Sequence, residues 1–174
     1  MVNTTTTTEP KWLTLARAEL GTKEAPGDAN NPRVLQYYVD AGHAEIHEDS
    51  TAWCSAAMGS WLKRSGIKPS GSLMAKSYLT FGAGLPGPRI GCIAVLWRGS
   101  PTAATGHVGF VTGFTGTEIS LLGGNQGANG VVSVETFPRS RVLAYRWPVA
   151  VTPIIDTPKE TTWSKVVKWL RNLV

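Results

Sequence analysis

Apolar positions along the 174-residue chain recur at helical spacing up to about residue 66 and at strand spacing after it. In "KWLTLARAELGTKE", Trp12, Leu13, Ala16 and Leu20 share a helical face, with Pro10 suited to the first turn and Gly21 to a stop. In "DANNPRVLQYYVDAG", Asn31 can cap, Pro32 can occupy the first helical position, and Val34, Leu35 and Tyr38 recur before Gly42. A third helix is predicted from about Trp53, with Asp49, Ser50 and Thr51 as N-cap candidates and Cys54, Met58, Trp61 and Leu62 on one face up to Gly66. "LMAKSYLTFG" suits a short fourth helix. The later runs "IGCIAVLWRG", "HVGFVTGF", "EISLLGG", "VVSVETF" and "VLAYRW" are β-rich and separated by Gly, Pro, Asn and Ser. Helices first and strands second predict an α+β domain, with N-terminal helices packed on an antiparallel sheet of about five strands.

The ends read differently. Residues 1–10 are a threonine-rich polar leader expected to be disordered, 11–148 form the domain, 149–161 a Pro/Thr linker, and 162–174 a basic amphipathic helix. The start shows neither a basic n-region nor an apolar h-region, so synthesis in a cytoplasm without a signal peptide is expected. No apolar run approaches the roughly 18 residues of a membrane span.

Composition, 42% apolar and 17% charged, is that of a soluble globular chain. The net charge of +5 favours polyanionic partners, and residues 159–174 carry +3 of it. The remaining +2, without basic residues interleaved with stacking aromatics, speaks against nucleic acid. In the tail, Trp163 and Trp169 with Lys165, Lys168 and Arg171 can contact an anionic membrane or outer envelope; the same pattern suits a helix docked on the domain.

Candidate chemistry centres on Cys54. A thiol at a helix N-terminus faces unpaired N–H groups and the positive end of the dipole, which favour thiolate. Amide cleavage also needs an imidazole to protonate the leaving amine, and a third group to hold that imidazole. His107 opens a glycine-rich strand on which Gly109 shares its face, predicting open room for a cleft. Asn125 or Gln126, at the tip of the next strand, can accept the imidazole N–H. Each residue also has a plainer reading: Cys54 as a small buried apolar residue, His107 as a structural histidine, Asn125 as an asparagine in a left-handed turn. Cys92 alternates with Ile90 and Ala94 and reads as core. Trp53 and Trp97 are candidates for a substrate groove. Glu45, His47 and Asp49 are secondary candidates for calcium or zinc, beside the reading of a solvated loop in which Asp49 helps cap the third helix.

The segments "WLTLARAELGTKE", "NNPRVLQYY", "DSTAWCSAAMGSWLKRSG", "GHVGFVTG", "LLGGNQ" and "YRWP" together resemble the papain-like CHAP and NlpC/P60 peptidoglycan hydrolases, and among them a CHAP-like group of small phage and bacterial wall-lytic proteins. The resemblance spans about residues 11–148. It implies a papain-like fold, Cys54 as nucleophile, His107 as general base and then acid, and Asn125 as the orienting residue with Gln126 as its substitute. Many CHAP members carry a glutamate two residues before that asparagine; here the position is Gly123. The resemblance implies no cofactor and bacterial peptidoglycan as partner; a monomer is expected, and the start without a signal suggests action on the wall after holin-type release or external delivery. Two alternatives are a wall-attacking bacterial amidase toxin and a non-enzymatic wall- or membrane-binding protein acting through its basic tail.

Overall fold

In the computed structural model, residues 9–149 are described. Residues 1–8 of the leader, residues 150–161 of the linker and the segment 162–174, with Trp163, Lys165, Lys168, Trp169 and Arg171, lie outside the described residues.

Three helices precede the sheet: α1 (Lys11–Arg17), α2 (Pro32–Ala41) and α3 (Cys54–Arg64). α2 follows its sequence signals closely. The Asn31 side chain accepts from the Arg33 N–H at 2.8 Å, Pro32 opens the helix, and Gly42 closes it at φ 98°. α1 stops at Arg17, sooner than predicted, and Leu20 is left half exposed. α3 starts where the sequence places it, with Trp53 as N-cap, but without a side-chain cap. Asp49 instead turns away: its Oδ2 accepts from the backbone N–H groups of Ala25 and Asn31, each at 2.8 Å. A buried carboxylate that already answers two amides in another loop is held away from the helix N-terminus. The predicted fourth helix is a 3-10 helix, Ala75–Thr80.

The sheet has six antiparallel strands, β1 (Ala83–Leu85), β2 (Ile93–Trp97), β3 (Gly106–Phe114), β4 (Glu118–Gln126), β5 (Val131–Pro138) and β6 (Val142–Trp147). Their order is β1-β6-β2-β3-β4-β5. β1 is the strand that was not predicted, and it exists by pairing with β6.

Strand alternation divides the core. Ile93, Val95, Val108, Phe110 and Leu122 meet Leu13, Tyr38, Trp53, Met58 and Trp61 of the helices. Cys92, Ala94, Leu96, Val111, Ile119 and Leu121 form a second cluster, flanked by Phe137, Tyr145 and Trp147. α3 is buried on every side from Cys54 to Leu62, which makes it the central helix. Both cysteines are free.

A carboxylate ties the helices together. Glu19 accepts from Tyr37 Oη at 2.5 Å, Arg33 Nη2 at 2.7 Å and Trp61 Nε1 at 3.2 Å, and pairs with Arg64. These partners hold its pKa below the usual carboxylate range, although burial opposes them.

Candidate active site

β3 and β4 pair from Phe114–Ile119 to Phe110–Leu122, and His107, Gly123 and Gln126 lie beyond that last pair. Cys54 starts α3 on the helix side, 8% exposed, and the N–H groups of Ser55, Val108 and Cys54 itself bear on its thiol. His107 is the neighbour of Val108 on β3, 2% exposed, with its ring 5.7 Å from that of Phe137. Alternation along β3 turns the imidazole to the face opposite Val108 and Phe110. Among the described residues no hydrogen bond joins the thiol to the imidazole; Nδ1 of His107 is buried without a partner.

The other ring nitrogen is held firmly. His107 Nε2 lies 3.0 Å from Gln126 Oε1. The orientation of that amide follows from its far end, where Gln126 Nε2 donates to the Ser133 carbonyl at 2.6 Å and to Ser133 Oγ at 3.2 Å. A carbonyl only accepts, so the NH2 group faces Ser133 and the oxygen faces the ring. The imidazole therefore carries its proton on Nε2 and presents a bare lone pair on Nδ1, the tautomer a general base needs.

Gln126, not Asn125, holds the imidazole. The register slips by one residue between Gly123–Ser133 and Gln126–Val131, and Asn125 takes φ 57° within this bulge. In an unbroken strand, residues 123 and 125 would share a face. The extra residue brings residue 126 round to the side of residue 123 instead. A Cβ on Gly123 would sit 3.1 Å from His107 Nε2 and 3.3 Å from Gln126 Cδ, so the missing side chain there leaves the room that Gln126 uses. Asn125 Oδ1 sits near Gly130 instead.

The proposed groove residues are also placed differently. Trp53 is fully buried, stacked on Tyr37 at 5.6 Å, with Nε1 donating to Glu24 Oε1 at 2.8 Å. It is core, fixed between α2 and the sheet. Gly109 opens no cleft, because the β4 backbone fills the space: a Cβ there would meet the Leu122 oxygen at 3.0 Å. Trp97 is half-buried at the end of β2, its Nε1 3.3 Å from the Ser140 oxygen and its ring under Arg141.

The electrostatics correct a further expectation. Burial pushes the Cys54 thiol up, and this outweighs Arg98 and the nearby N–H groups, which pull it down. Burial likewise pushes His107 down to about 4, opposed by Gln126 and reinforced by Arg98 and Arg141. The resting pair is thus neutral thiol and neutral imidazole, because α3 begins inside the core and not at its surface. Arg98, Arg141 and Ser133 act on the site without having been singled out from the sequence; their spacing carries no motif.

Glu45, His47 and Asp49 do not assemble. Glu45 pairs with His43 Nδ1 at 2.9 Å, His47 is exposed, and Asp49 is committed to backbone amides. Among the described residues no group of three or more His, Cys, Asp or Glu side chains is placed to hold a metal.

No protein-family model matches the chain, and neither the curated proteins nor the solved structures include a match.

Proposed function

We propose that the protein is a papain-like cysteine amidohydrolase of the CHAP type, cutting an amide of bacterial peptidoglycan as a phage lysin does, either at the sugar–peptide junction or within the peptide. The observation that carries this reading is the His107 imidazole. It is buried, its Nε2 is locked by Gln126 and its Nδ1 lone pair is free. The arrangement of helix-borne cysteine, strand-borne histidine and an amide side chain on the next strand supports it further.

In this reaction Cys54 Sγ attacks the substrate carbonyl as its proton passes to His107 Nδ1, so that ions form only during attack. With His107 Nε2 held by Gln126, it is the Cys54 side chain that has to swing to Nδ1 when substrate binds, as catalytic hydrogen bonds often tighten only in the complex. The Cys54 N–H faces the developing oxyanion. The imidazolium then protonates the leaving amine, the C–N bond breaks, and a thioester remains. Water, deprotonated by His107, releases the acid and restores the thiol. The net positive charge draws the enzyme to an anionic wall, less so as salt rises.

The test is clearing of purified peptidoglycan by the wild type and by Cys54→Ala, with mass spectrometry of the fragments. Wild-type clearing with a loss of at least about 1,000-fold in the variant is expected, and the new termini identify the bond. Equal activity of the two chains, or none from either, overturns the proposal.

A further inference from the structure

The sheet half of the molecule binds its arginines internally, with one exception. Arg89 lies over Trp147 at 4.1 Å, and Arg139 Nη1 donates to the Thr115 carbonyl at 2.9 Å. Arg141 Nη2 donates to the Trp97 carbonyl at 3.1 Å, and Arg146 Nε to the Phe81 carbonyl at 2.6 Å. Arg98 is exposed, and among the described residues its guanidinium joins no ion pair and no hydrogen bond. Its backbone, in contrast, is pinned. The Arg98 carbonyl accepts from Ser100 N–H at 3.0 Å and from Thr105 Oγ1 at 3.1 Å.

The position of Arg98 is defined by register. Leu96 pairs with His107 and Trp97 with Gly106, so Arg98 is the first residue past the end of β2, at the imidazole's end of the sheet. Its charge bears on both the thiol and the imidazole. A guanidinium with an anchored backbone, a free fork and no carboxylate partner, two residues beyond the strand position that pairs with His107, is suited to an anion supplied by the substrate.

We infer that Arg98 forms a carboxylate subsite beside Cys54, so that the enzyme prefers amides flanked by a free carboxylate over the same amides with that group amidated. The inference rests on Cys54 being the reactive thiol of the proposed hydrolase. It makes Arg98 a specificity residue, recognising the acidic groups of a wall peptide.

Alkylation of Cys54 in the full chain tests the subsite without any wall substrate. Iodoacetate carries a carboxylate and iodoacetamide does not; both form the same S–C bond and release iodide. The ratio of their rates cancels the effect of Arg98 on thiol reactivity itself. Cys54→Ala supplies the background from Cys92, which is fully buried with its thiol pushed up to about 11. In Arg98→Gln the iodoacetate-to-iodoacetamide ratio is expected to fall about tenfold, the size of one charge-assisted hydrogen bond. An unchanged ratio overturns the inference. A second arm compares kcat/KM on wall fragments whose stem carboxylate is free or amidated. A preference for the free acid of about tenfold, lost in Arg98→Gln, supports the subsite. Turnover of neither fragment, with the alkylation ratio still dependent on Arg98, keeps the subsite and overturns the wall reading.

Discussion

Gln126 and Asn125 are one bond apart in sequence, yet only one of them touches the imidazole. Replacing Gln126 by Ala removes the acceptor on Nε2 and frees the tautomer, so kcat should fall by about 100-fold or more. Asn125→Gly keeps the φ of 57° available and should change kcat by less than about threefold. Gln126→Glu places a carboxylate on the ring and raises the imidazole pKa from about 4. A base works only when unprotonated, so the acid limb of kcat/KM lies near pH 4 in the wild type and moves upward in Gln126→Glu. A limb that stays in place in the pH–rate profile removes His107 from the role of base. Cys54 and His107 were legible because a thiol at a helix start and a histidine at a strand start are local signals. The choice of Gln126 was not, since a single inserted residue reverses which side of a strand faces the ring. The plainer reading of Asn125, an asparagine in a left-handed turn, is the conformation it adopts.

Between elements, the site depends on how closely α3 approaches β4. A Cβ on Gly124 would meet Trp53 Cζ3 at 2.5 Å and Ala57 Cβ at 2.7 Å, so the strand lies directly on the first turn of the helix that carries Cys54. Gly124→Ala must push the two apart. We expect a loss of about 1–3 kcal/mol from overpacking, read from the urea midpoint, together with a fall in kcat as the thiol shifts relative to His107. Destabilisation with unchanged kcat would mean that α3 tolerates displacement. The elements legible in the sequence are those with local punctuation: α2 between Asn31-Pro32 and Gly42, and the apolar runs of β2 to β6. β1 has only Ala83, Gly84 and Leu85, too short for any alternation, and takes its conformation from β6. The start of α3 is legible, but its cap is not: Asp49 suits a cap by type, and only the fold shows that loop 25–31 has taken its carboxylate.

For the whole molecule, one buried and one half-buried group make stability fall with acid, over adjoining ranges of pH. The folded chain holds His107 at about 4 against an ordinary value near 6.5. Between those values the unfolded chain takes a proton that the folded chain refuses, so stability drops as pH falls from about 6.5 to about 4, by about 3 kcal/mol at most. Glu19 acts in the same direction lower down. Its pKa is depressed by Tyr37, Arg33, Arg64 and Trp61, so its contribution is present above the unfolded value near 4.5 and disappears as pH falls through the folded one. Urea midpoints measured from pH 7 to pH 3 should therefore decline throughout. His107→Gln should flatten the upper part of the curve, and Glu19→Gln the lower part, at the cost of a lower plateau because α2 and α3 lose their common acceptor. A flat wild-type curve between pH 6.5 and 4.5 would mean that the imidazole is not held neutral by burial. The two profiles also separate chemistry from folding. In Gln126→Glu, raising the imidazole pKa toward its unfolded value should move the acid limb of activity to higher pH while making stability less sensitive to pH. A simple unfolding artefact would move the two together.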